Sequence, residues 1–129
     1  MHHAIRRLAG LTLLVIATAC ARNQSASTSP RTDWNLITEG QLGGHRFGNA
    51  YEAVQALRNG WLQTRGPDSI VSPTRIWVYL DNSRLGGVES LRSIAIPGVA
   101  FIQHFDGVSA AARWGLDHGQ GVIYVSSRP

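Results

Sequence analysis

The chain has 129 residues, 43% of them hydrophobic, enough for one small domain and too few for a receptor- or porin-sized transmembrane barrel. Charged residues make up 16% and there are 14 glycines, which excludes a coiled coil and a highly charged disordered tail. The formal charge of +4 rests on twelve arginines and no lysine, scattered along the chain, and this does not make the clustered basic face that nucleic acid requires.

The N-terminal stretch reads as an address. His2, His3, Arg6 and Arg7 form a short basic head, and an apolar run follows from Leu8 to Cys20. That run is shorter than the roughly 18–20 residues that span a bilayer. With its small closing residues it has the pattern of a secretory signal, covering residues 1–19. A single cysteine excludes an internal disulfide framework and a Cys-rich zinc site.

Ala17-Thr18-Ala19-Cys20 resembles the lipobox of bacterial lipoproteins, with Ala17 where leucine is usual. The resemblance implies that the Cys20 thiol receives a diacylglyceryl group and that cleavage precedes it. Several acyl chains on one residue give stable anchoring, at about 0.8 kcal/mol per buried CH₂. Ala21 in place of aspartate implies sorting to the outer membrane. The expected location is thus the bacterial cell envelope, lipid-anchored.

Residues 20–32 form the lipidated cysteine and a tether. Arg22 to Arg31 is polar and serine-rich, without the apolar content to offset chain entropy. A single domain over 33–129 follows.

Asn49 to Leu62 is the strongest predicted helix. Ala50, Ala53, Val54, Leu57 and Trp61 recur at the spacing of one buried face. Asn49 is the expected N-cap, with Glu52 completing a capping box. Gly66-Pro67-Asp68 marks a loop. Arg75 to Asp81 is a predicted strand, with Ile76, Val78 and Leu80 on one face and Trp77 and Tyr79 on the other.

Asn82-Ser83-Arg84 with Gly86-Gly87 reads as a turn, and Val88 to Ile94 as a short helix with Val88, Leu91 and Ile94 inward. Pro97-Gly98 breaks it. Val99 to Phe105 is a second strand, with Val99, Phe101, Gln103 and Phe105 on one side and His104 opposite. Asp106 or Ser109 caps a helix that Gly115 ends, and Gly121 to Ser127 is the last strand. The expected fold class is α+β (α/β-like), a β-α-β-α-β unit preceded by an amphipathic helix.

The second half resembles the plug domain of TonB-dependent outer-membrane receptors. The residues that carry the likeness are Val78-Tyr79-Leu80-Asp81-Asn82, Leu91-Arg92-Ser93-Ile94 with Pro97, and the strand Val99 to Phe105. Ser109-Ala110-Ala111-Ala112-Arg113-Trp114-Gly115 and Gly121-Val122-Ile123-Tyr124-Val125-Ser126-Ser127-Arg128 complete it. Asn82 stands where the family has glycine, and the family's acidic residues are missing from the middle strand. The resemblance implies a small plug-like fold, here expected without its barrel. Transport does not follow from such a domain alone.

Gly115, Gly119 and Gly121 are read as tight turns between helix and strand. They precede a strand, so they lack the strand-then-helix order of a phosphate-binding loop. His45, His104, His118, Asp81, Asp106 and Asp117 are the titratable candidates. No HExxH, GxSxG or paired metal motif accompanies them, and no catalysis, metal or cofactor is expected. Asp117 and His118, with Gln120, are the candidate exposed binding loop.

The leading expectation is a non-catalytic, membrane-tethered binding or assembly module that meets an envelope protein through a loop or a sheet edge. The alternative is a small-ligand or carbohydrate-binding lipoprotein. It requires a concave aromatic pocket with Trp61, Trp77 or Trp114 exposed, whereas burial statistics favour these three as core or rim anchors.

Overall fold

A computed structural model describes residues 32–66, 70 and 74–128. These belong to one compact unit, Arg31–Pro129. The signal peptide, Cys20 and the tether to Arg31 lie outside the described residues, as do Pro67 and Asp68.

The fold is α+β: helices and a mixed five-stranded sheet. Strands β1 (Leu36–Ile37), β2 (Trp77–Leu80), β3 (Ser83–Gly86), β4 (Val99–Phe105) and β5 (Val122–Ser127) lie in the order β1-β4-β5-β2-β3. Only β2 and β5 run parallel.

The helix expected over 49–62 divides in two. Helix α2 (Ala50–Arg58) follows α1 (Glu39–Gly43) in the chain and continues as a 3-10 turn, Asn59–Leu62. Arg58 leaves helical backbone at φ −148°, just before the weak helix formers Asn59 and Gly60. Asn49 caps α2, its side chain accepting from the Glu52 N–H at 3.0 Å. Glu52 does not close a reciprocal box. Its carboxylate accepts from the Gly48 N–H at 2.8 Å and from Asn49 Nδ2 at 3.0 Å. Ala50, Ala53, Val54 and Trp61 are buried as the spacing requires, and Leu57 is partly buried against them.

One face of the sheet carries the main core. Ile37, Val78, Val99, Ile102, Ile123 and Val125 pack there against Leu42, Val54, Trp61 and Leu91. The other face carries a smaller cluster. Tyr79, Ala110 and Val122 are buried, with Trp77, Phe105, Trp114 and Tyr124 around them. The expected alternation in β2 is therefore present.

The strands depart from expectation at two points. The turn after β2 is confined to Asp81-Asn82, with Asp81 at φ 51°, and Ser83–Gly86 pairs with β2 as a strand. The Asp81 carboxylate holds this corner to β5 by accepting from the Ser127 N–H at 2.9 Å and its hydroxyl at 2.7 Å. In β4, an irregularity between Val99 and Phe101 breaks the alternation. It turns Val99 to the core face with Ile102, while Phe101 and Phe105 stay on the aromatic side near Tyr124.

Between β3 and β4 the expected helix is a 3-10 segment, Val88–Ser93, and Ile96–Gly98 forms a second one. Helix α3 (Gly107–Trp114) is capped by Asp106, not Ser109. Gly115 ends it at φ 108°. Gly119, read as a tight turn, has ordinary helical backbone. Packing requires glycine at 107, where a Cβ would overlap the Gly119 carbonyl oxygen, and at 121, where it would come 2.6 Å from the Phe105 carbonyl oxygen at φ 98°.

Candidate functional site

A groove of about 1030 Å³ opens on the domain surface, lined by residues from four separate stretches of chain. Its aromatic residues are Trp34, in the turn before β1, and Trp61, in the 3-10 turn after α2. His104, on the core-side face of β4, stacks on Trp61 with ring centroids 5.3 Å apart. The amphipathic spacing of α2 carries Trp61 inward, and the parity of β4 carries His104 toward it. Val108 from α3 and Leu116 from the following 3-10 turn add apolar surface.

Of the five exposed large apolar side chains among the described residues, three line the groove, while Ile70 and Leu85 lie outside its lining. Trp34 is 72% exposed, Val108 83% and Leu116 90%, and all three line it. Exposed apolar area concentrated in a concave surface is characteristic of binding sites.

The groove's charge is positive. Arg58 and Arg65 both line it, and neither is ion-paired with a described carboxylate. Arg58 lies with its guanidinium carbon 5.0 Å from the centroid of the Trp34 ring. Its Nε donates to the Trp34 carbonyl at 3.2 Å and its Nη1 to the Leu57 carbonyl at 2.8 Å. Its Nη2 is shielded from water and has no hydrogen-bond partner. A shielded charged donor without an acceptor is costly, so this nitrogen gains from any acceptor that comes to it.

Among the described residues Asp106 is the one acidic side chain in the lining, and its oxygens are engaged. Oδ1 accepts from the Ser109 N–H at 2.9 Å and Oδ2 from the Ser109 hydroxyl at 3.1 Å. Those bonds hold its pKa below the usual carboxylate value. His104 is pushed below its ordinary 6.5, first by burial and then by the Arg65 charge, against an opposing pull from Asp106. It is therefore predominantly neutral at pH 7, and the arginines supply the groove's positive charge.

The three residues expected to form one exposed loop are divided. Gln120 is half-buried at the groove, where its Oε1 accepts from the Arg65 N–H at 3.2 Å and its Nε2 donates to the Gly66 carbonyl at 2.6 Å. It fastens the segment after Leu62 to the β5 end of the fold. Asp117 is exposed and paired with Arg84 at 3.2 Å. His118 is 1% exposed, which corrects its expected place on the surface.

The cause is local. The 3-10 turn Leu116–His118 folds His118 under Trp77 and Trp114, against Tyr79. Its Nδ1 faces the Asp117 carboxylate at 2.6 Å and the Gly115 carbonyl at 3.1 Å, so Nδ1 carries the proton. Nε2 then accepts from the Tyr79 hydroxyl at 3.0 Å. The imidazole and phenol of this carboxylate–imidazole–phenol chain are buried, and the chain ties the turn to β2.

Trp61, Trp77 and Trp114 are packed as core and rim residues. Trp61 is buried and the other two are half-buried. Trp34, Arg58 and Arg65 were not legible as site residues. Only Arg58 and Trp61, three apart near the end of a predicted helix, offered a local signal. No three His, Cys, Asp or Glu side chains converge as a metal site among the described residues, and no helix there is long and apolar enough to cross a membrane.

No family model matches the chain, and neither a curated protein nor a solved structure matches it.

Proposed function

We propose that this chain is a non-catalytic binding or assembly module of the bacterial cell envelope. Its lipid anchor is Cys20, in the outer membrane, and its passenger is a domain similar to the plug of TonB-dependent receptors. The observation that carries the binding role is the gathering of Trp34, Val108 and Leu116, all strongly exposed, around one groove. Exposed apolar surface of this kind is stabilised when a partner covers it. The lipobox-like stretch around Cys20 and the plug-like segments after Val78 support the address and the architecture. The short outer strands β1 and β3 offer sheet edges for strand addition by an envelope protein.

Two experiments test this reading. Cys20→Ala is expected to abolish incorporation of labelled palmitate, and unchanged labelling overturns the anchor. Mild crosslinking in intact envelopes, followed by affinity isolation, is expected to recover one reproducible protein partner. That partner is expected to be lost in a Trp34→Ala/Leu116→Ala variant that still folds. Equal recovery with this variant removes the groove from the interface.

The second reading, a small-ligand or carbohydrate-binding lipoprotein, does not find Trp61, Trp77 or Trp114 exposed and rests instead on a different tryptophan. The groove is concave, with Trp34 exposed at its lining and Trp61 packed beneath.

A further inference from the structure

The groove combines features that select for ligand chemistry. It holds two arginines without described carboxylate partners, and one of them keeps a guanidinium nitrogen free of any hydrogen bond. It holds two indoles and two exposed aliphatic side chains. Its one described acidic residue is spent on capping α3. A cation-rich surface beside aromatic faces is complementary to a ligand with an anionic head and a flat apolar body.

We infer that this groove binds a planar organic acid, its ring against Trp34 and its carboxylate on Arg58 and Arg65. The inference rests on the small-ligand reading above and names the ligand class for it.

Three points argue for a single negative charge on a ring, as opposed to a neutral sugar or a phosphate dianion. A neutral ligand leaves two arginines without a counter-charge. The N-terminus of α3, where a phosphate would ordinarily be cradled, already carries the Asp106 carboxylate, which repels a dianion. Arginine offers a planar fork of donors that fits a carboxylate; in Arg58, whose guanidinium carbon lies 5.0 Å from the Trp34 ring centroid, Nε and Nη1 are held by backbone carbonyls and Nη2 is left for an acceptor. Arg58 Nη2 is shielded and without a hydrogen-bond partner, so a carboxylate that reaches it exchanges an unsatisfied donor for a charge-assisted hydrogen bond.

The test uses the full chain, titrated by calorimetry with 2-naphthoate and with its neutral isostere 2-naphthamide. Naphthoate is expected to bind saturably and about tenfold or more tightly than naphthamide, the worth of one charge-assisted hydrogen bond. The difference is expected to shrink as ionic strength rises. Arg65→Gln, at an exposed position, is expected to weaken naphthoate about tenfold while leaving naphthamide binding and the melting temperature unchanged. Arg58→Lys, which keeps the charge and loses the planar fork, is expected to weaken naphthoate as well.

Equal affinity for acid and amide, no effect of Arg65→Gln, or no saturable naphthoate binding each overturns the inference. A protein partner captured by crosslinking in the absence of naphthoate binding overturns the ligand class and leaves the binding-module reading standing. Selective naphthoate binding that persists when no partner is captured supports the ligand and removes the protein partner.

Discussion

The Tyr79 hydroxyl and His118 Nε2 lie 3.0 Å apart on the smaller-cluster side of the sheet, 39 residues apart in sequence. Both side chains are buried, and the bond joins β2 to the turn that feeds β5. It makes a surface-looking Asp-His pair into a structural anchor. Asp117 holds the proton on Nδ1 and Tyr79 satisfies Nε2.

Tyr79→Phe removes the donor and leaves a buried ring nitrogen without a partner. The expected loss is about 1–3 kcal/mol of stability, the usual cost of an unsatisfied buried acceptor. Urea unfolding is expected to show a lower midpoint with an unchanged slope. An unchanged midpoint refutes the anchoring role.

Gly107 and Gly60 are expected to respond oppositely to alanine. At Gly107 a Cβ meets the Gly119 backbone, which has no side-chain freedom to yield. Gly107→Ala is expected to cost about 3 kcal/mol or more. At Gly60 nothing lies within 4 Å of an added Cβ, so Gly60→Ala is expected to be neutral or to stabilise by up to about 1 kcal/mol. Thermal melts of the two variants side by side check this.

Asp81 and Asp106 govern acid stability. Each pKa is lowered, chiefly by a backbone N–H bond to the carboxylate, from Ser127 for Asp81 and from Ser109 for Asp106. A depressed carboxylate contributes stability above its unfolded pKa, and that contribution is lost as pH falls through the folded value. Unfolding midpoints are therefore expected to drop as pH goes below about 3.8. Asp81→Asn and Asp106→Asn are each expected to flatten this acid limb. A limb of unchanged steepness in both variants contradicts the assignment.

His104 has the same sign for a different reason. Burial and Arg65 favour its neutral form, so its contribution is present above pH 6.5 and is lost as pH falls through its lowered folded pKa. An NMR titration is expected to place its midpoint below 6.5, and Arg65→Gln to move it upward. A midpoint unmoved by that substitution separates Arg65 from the His104 ring.

Asn49→Ala removes the cap of α2 and is expected to cost about 1 kcal/mol. Asn49→Ser keeps an acceptor for the Glu52 N–H without setting a second carboxylate beside that of Glu52, and is expected to restore most of that loss, read from chemical denaturation.

The elements with strong periodicity were legible. Ala50, Ala53, Val54 and Trp61 identify the buried face of α2, and Val99 to Phe105 matches β4 end to end. Elements without an apolar pattern were not. Ser83-Arg84-Leu85-Gly86 looks like a turn because its side chains are mostly exposed, yet backbone pairing with β2 makes it a strand. The first helix was missed although Thr38 and Gln41 form a capping box, since Gly40, Gly43 and Gly44 mask the helical signal. The shift inside β4 was invisible, because one irregular residue changes parity without altering composition.

Local chemistry along the chain was enough to determine the α+β class, the inward face of α2, the cap at Asn49 and the two-faced character of β2, since each depends on neighbours a few residues away. Tertiary structure alone decided that His118 is enclosed, that Val99 joins the core, and that Trp34, Arg58, Arg65 and His104 meet at one groove. Those outcomes depend on which distant segments the sheet brings together, and side-chain spacing within a segment carries no record of that.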